Sequence, residues 1–79
     1  MRYKWIEILR NGKWALLQTA GDSQYAVVSG YDPEKPEGSK WDHGAYFCYW
    51  GNPIRKAECL MNAASYFWEK VKPKEDEER

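Results

Sequence analysis

Along the first fifty positions apolar and polar residues mostly alternate, as in Tyr3-Lys4-Trp5 and Gln24-Tyr25-Ala26, and the period then lengthens to that of a helix. Alternation predicts half-buried strands. Residues 2–10 and 13–20 flank Asn11-Gly12, a dipeptide whose tolerance of positive φ suits a two-residue type I′ hairpin. Gly21-Asp22, with Ser23 beside it, reverses the chain into a third strand over 24–31. Residues 32–40 hold two prolines, one glycine and five charges, a composition that cannot enter a central ladder and predicts an exposed, mobile loop. A fourth strand follows over Ala45–Tyr49, entered through Trp41-Asp42-His43-Gly44.

Asn52 before Pro53 is an N-cap residue followed by a proline at the first helical position, where the missing N–H costs nothing. A helix is expected from Pro53 to about Val71. At about 100° per residue, Ile54, Ala57, Leu60, Met61, Ala64, Phe67, Trp68 and Val71 share an arc of about 140°, with Arg55, Glu58, Asn62, Ser65 and Glu69 outside it. Pro73 should stop the helix and leave Lys74–Arg79 as a frayed, charged tail, so residues 1–72 form a single domain. The fold class is α+β: a four-stranded antiparallel β-meander with one C-terminal helix packed on one face, β-β-β-β-α.

The hairpins also set which side chains share a face. With Gly21-Asp22 as the loop, Leu17 pairs with Ala26 and Ala15 with Val28. With Asn11-Gly12 as the loop, Ile8 pairs with Ala15 and Ile6 with Leu17. That face is low and aliphatic, and its alanines would let a helix come close. The other face collects Tyr3, Trp5, Trp14, Leu16, Tyr25, Val27 and Tyr31, with Leu9 among them, where a half-solvated sheet normally carries polar residues. An open aromatic face of this size implies contact with a protein partner, a second copy in a homodimer being the simplest. A bulge that shifts the register, or a loop folded over the sheet, would turn the same aromatics into core.

Composition narrows the reading further. Five Trp, six Tyr and two Phe in 79 residues supply much of the apolar area that so small a domain needs. Lys plus Arg and Asp plus Glu balance at 12 each, which argues against binding driven mainly by the protein's field to nucleic acid or anionic membrane. A single-strand nucleic-acid binder, using sheet aromatics to stack on bases, remains the alternative function. No run of 18 apolar residues is present, so a soluble, cytoplasmic protein with reduced thiols is expected. Whether Cys48 and Cys59 pair is left open.

Candidate chemistry is sparse. His43, oriented by Asp42, could act as a base toward Cys48, but in one strand an odd separation sends the two to opposite faces. A metal would need His43, Cys48, Cys59 and a carboxylate to converge without a Cys-x-x-Cys pair or a second histidine. The glycines are scattered, with no phosphate loop opening a helix. No catalytic residue, cofactor, metal or small-molecule substrate is assigned, and a non-enzymatic interaction module is expected.

The order Val27-Val28-Ser29-Gly30-Tyr31-Asp32, a Pro/Glu/Lys loop, Trp41-Asp42-His43-Gly44-Ala45-Tyr46-Phe47 and then a helix resembles small uncharacterised proteins of Gram-positive phages and conjugative elements. The likeness spans roughly residues 25–70. It implies a cytoplasmic accessory protein of a mobile element that binds a host or element protein. An anti-defence inhibitor is one such role, and no catalytic residues come with it.

Overall fold

The computed structural model of the chain describes residues 4–36 and 38–77. Among them are β1 (Trp5–Asn11), β2 (Trp14–Thr19), β3 (Gln24–Ser29) and β4 (His43–Cys48), joined in one antiparallel sheet of order β1-β2-β3-β4, and a helix α1 (Pro53–Glu77) packed on it. This is the expected α+β meander. Asn52 caps α1 as anticipated: its Oδ1 accepts from the N–H of Ile54 at 3.0 Å and of Arg55 at 3.1 Å. The helix does not stop at Pro73, however, and runs on to Glu77. A proline removes one backbone bond, and the Lys- and Glu-rich stretch after it favours continuing the helix. Glu78 and Arg79 of the expected tail lie outside the described residues.

The β2–β3 register is the one the Gly21-Asp22 turn implies, with Ala15 opposite Val28 and Leu17 opposite Ala26. Thr19, buried at the strand end, takes over the work of the ladder there: its Oγ1 accepts from the N–H of Ser23 and of Gln24 at 3.0 and 3.1 Å. In the first hairpin the loop is Gly12-Lys13 rather than Asn11-Gly12, because Asn11 pairs with Trp14. Gly12 alone takes a positive φ there (61°), which fits a type II′ turn with glycine first. The register then shifts between Glu7 and Leu9, so that Leu9 faces Leu16 while Trp5 faces Thr19. This bulge at Ile8 sends Trp5 to the opposite face from Leu9.

Over β2 and β3 both faces of the sheet are covered, by different means. On one, α1 lies across β2, β3 and β4, closing a core of Leu16, Tyr25, Val27, Tyr49, Ala63 and Phe67 and leaving β1 largely outside its footprint. On the other, Trp5, Tyr31 and Trp41 pack onto Ala15, Leu17, Ala26 and Val28. Trp5 meets Trp41 edge-to-face at 5.7 Å, and Trp41 donates from Nε1 to the Tyr46 hydroxyl at 3.1 Å. Tyr46 lies over Gly44, where any Cβ would come within 2.9 Å of its hydroxyl oxygen. Small sheet residues thus receive flat rings. Gly30 (φ 70°) ends β3 and turns Tyr31 out of the strand alternation, while Asp42 N–H donates to Ser29 O and Asp32 N–H to Lys40 O, closing the exposed loop.

The sequence left open which face α1 covers; it packs on the one of larger side chains and not on the low one whose alanines would let a helix come close. Its contact is centred on Ala63, with Cys59, Tyr66 and Phe67 beside it, about 100° round from the middle of the expected arc, or one residue position. A small residue at the centre of the helix contact matches large residues on the sheet. Phe67→Ala is expected to lower unfolding free energy by about 3–5 kcal/mol, the usual cost of emptying a core phenylalanine site. Met61→Ala, in the expected arc but exposed, should change it by no more than about 0.5 kcal/mol. Chemical denaturation of the two variants checks the helix phase.

Candidate interaction surface

The seven residues read from the sequence as one contact face are divided by the fold. Leu16, Tyr25 and Val27 are buried beneath α1 and form no open surface. Trp14, half-buried, packs against the same cluster. Trp5 and Tyr31 are on the opposite side, against the aliphatic cluster, placed there by the bulge and by Gly30. Tyr3 lies outside the described residues. The aromatic sheet face is core, through the bulge the register allowed for and through the helix itself.

What remains uncovered is elsewhere. On α1, Ile54 and Met61 are 75% and 69% exposed and Trp68 is 50% exposed, with Ala57 exposed between them and Leu60 less so. These are five of the eight residues of the expected packing arc, left in solvent by the rotation of the helix. Their direction follows from the other flank: Tyr66 meets Phe47 of β4 edge-on at 6.0 Å, and Cys59 donates from its thiol to the Cys48 carbonyl at 3.5 Å. Leu60 and Ala64, on the far side of Ala63, consequently look toward β1. There Ile6, opposite Gln18, and Leu9, opposite Leu16, point to the helix side of the sheet and are both exposed. The exposed apolar residues of α1's outer stripe and of the uncovered face of β1 therefore fall toward the same flank. The sequence signal for it is the width of the helix's apolar arc, broader than a single sheet contact needs.

The helix is held in this rotation by a polar cluster at its first turns. Tyr49, fully buried, donates to Asp22 Oδ1 at 2.7 Å and accepts from Gln18 Nε2 at 3.0 Å, and Lys56 Nζ reaches Asp22 Oδ1 at 2.8 Å. Asp22 occupies the left-handed region (φ 60°) that closes the β2–β3 turn. The Lys56 ammonium, with the Tyr49 hydroxyl, holds the Asp22 carboxyl below the usual carboxylate range. Reciprocally, the bond to Asp22 raises Lys56, and burial pushes the Tyr49 phenol up. Next to buried Tyr49, Trp50 takes a positive φ (52°) and projects outward, 69% exposed, while both N–H groups bond Ser23 O at 2.9 Å.

The residues weighed for chemistry do not assemble. His43 is exposed at the start of β4, and Cys48, on the opposite face of that strand, donates to Gln24 Oε1 at 3.3 Å. Both cysteines are free thiols. Among the described residues no three of His, Cys, Asp and Glu are placed to hold a metal, and no helix is long and apolar enough to cross a membrane. No family model, no curated protein and no solved structure matches this chain.

The Asp22 cluster makes a prediction about pH. A depressed carboxyl pKa contributes stability that is present above the ordinary value near 3.8 and lost as pH falls through the lower folded-state value. Lys56 and Tyr49, both raised, contribute below their ordinary values of 10.5 and 10.0 and lose it as pH rises beyond them. Asn tolerates positive φ, so Asp22→Asn removes the charge and keeps the turn. Thermal midpoints from neutral pH into acid should fall less steeply for Asp22→Asn than for the parent chain, whose advantage disappears once Asp22 is protonated.

Proposed function

We propose that this chain is a non-enzymatic protein-interaction module, and that its contact surface is the apolar flank formed by the outer stripe of α1 and the helix side of β1. The observation that carries this reading is the exposure of Ile54, Met61 and Trp68 on a helix whose other side already completes the core. Soluble monomers rarely leave a continuous apolar patch larger than a few hundred Å². Trp68 and Met61 belong to the residue types enriched in contact surfaces. A cytoplasmic accessory role for a mobile element, including inhibition of a host defence, would act through this same flank.

Nucleic-acid binding is the weaker reading. The rings on the opposite face meet edge-to-face or tilted and are bonded to one another, whereas base stacking needs free ring faces. Arg10, on that side, is paired with Glu7 at 3.8 Å and lies over the Tyr31 ring. Net charge is zero.

A photoreactive residue at Ile54, expressed in the native cells, should form a protein adduct that Met61→Lys abolishes while the thermal midpoint holds. The same residue at Asn62, on the polar face, should form none. Equal labelling from Asn62, or an adduct indifferent to Met61→Lys, would sink the proposal.

A further inference from the structure

We infer that the occupant of this flank is a second copy of the chain, docked through a two-fold axis that sets the two α1 helices antiparallel. The inference rests on the reading of the flank as a protein-contact surface and specifies its partner. Along the outer stripe, apolar residues recur at alternating intervals of three and four: Ile54, Ala57, Met61, Ala64, Trp68. That spacing is the seam of a paired helix. Within it large residues alternate with alanines. In a parallel pair Trp68 would meet Trp68 and Ala64 would meet Ala64, leaving clashes and gaps in turn. In an antiparallel pair with Met61 opposite Ala64 of the other copy, Trp68 falls opposite Ala57, so Met61 and Trp68 each meet a space and the relation is the same from either copy.

Charge and area agree with this choice. The polar border of the stripe carries Glu58 and Ser65, and the antiparallel register brings Glu58 beside Ser65 of the other copy instead of a second carboxylate. The chain's zero net charge puts no overall repulsion between copies. From their fractional exposures, Ile6, Leu9, Ile54, Leu60, Met61 and Trp68 offer on the order of 700 Å², near the roughly 800 Å² per partner of a standard interface. Leu60 looks toward β1, so the contact can spread from the helix seam onto Ile6 and Leu9 of the same copy.

Sedimentation of the full chain over a wide concentration range tests the inference. The parent chain should reach the mass of two copies, and Ala57→Arg, at an exposed position that need not disturb the monomer, should weaken association by roughly thirtyfold or more, the loss expected when a hot-spot tryptophan is denied its pocket. A photoreactive residue at Met61 should cross-link between copies onto the peptide containing Ala64. A single-copy mass at the highest concentration, or a dimer indifferent to Ala57→Arg with a monomer of unchanged stability, overturns it. If the chain stays single while the Ile54 probe in cells still gives a Met61-dependent adduct, the second copy is excluded and the contact surface survives. If that adduct is missing too, both readings fall.

Discussion

Tyr49 is the point on which the arrangement depends. It follows β4, its ring is wholly enclosed between the sheet and α1, and its hydroxyl is bonded to both Asp22 and Gln18. A buried phenol needs such partners, since leaving the hydroxyl unsatisfied would cost about 1–3 kcal/mol. Satisfying it brings the β2–β3 turn beneath the start of the helix, and Lys56 closes the arrangement from the helix side. With its first turns fixed at Tyr49 and Asn52 and its middle fixed by Tyr66 on Phe47, α1 has no freedom to roll its most apolar arc onto the sheet. The rotation that leaves Met61 and Trp68 outside is the consequence.

The two sheet faces are complementary solutions to one volume problem. Leu16, Tyr25 and Val27 stand tall, so the helix approaches them with an alanine at its centre. Ala15, Ala26 and Gly44 stand low on the other side, and there rings lie directly over the backbone. Trp41, carried in by the segment after the charged loop, and Trp5, turned over by the bulge, supply them. A domain of this size gains little from a second helical layer when four aromatic side chains can close the face.

Much of the fold was legible because it is set locally. The turn glycines, the proline-rich loop and the Asn52 cap act within a few residues, and the β2–β3 register followed directly from Gly21-Asp22. The candidate surface was legible only in part. The bulge at Ile8 has neither glycine nor proline to announce it, and it alone decides the side on which Trp5 emerges. Tyr31 was misplaced because Gly30 ends β3 two residues sooner than the apolar pattern does. The helix phase depends on contacts among Asp22, Tyr49 and Lys56, residues 27 and 34 positions apart from first to each of the others, which no local periodicity encodes.

An exposed apolar stripe on a chain this short could be read as a core left unfinished, but the packing argues otherwise. Both faces of the central strands are closed without Ile54, Ala57 or Met61, and among the described residues no buried side-chain polar atom lacks a partner. Polar residues at Ile54 and Met61 would serve the monomer equally well, since surface substitutions away from specific contacts shift stability by only about 0.5 kcal/mol. Trp68 is different in degree: its edge-to-face contact with Phe67 at 5.1 Å ties it to the core while half of it faces solvent. The stripe is therefore anchored to the fold at one end and unneeded by it along the rest, which is the condition expected of a surface whose apolar character answers to association and not to folding.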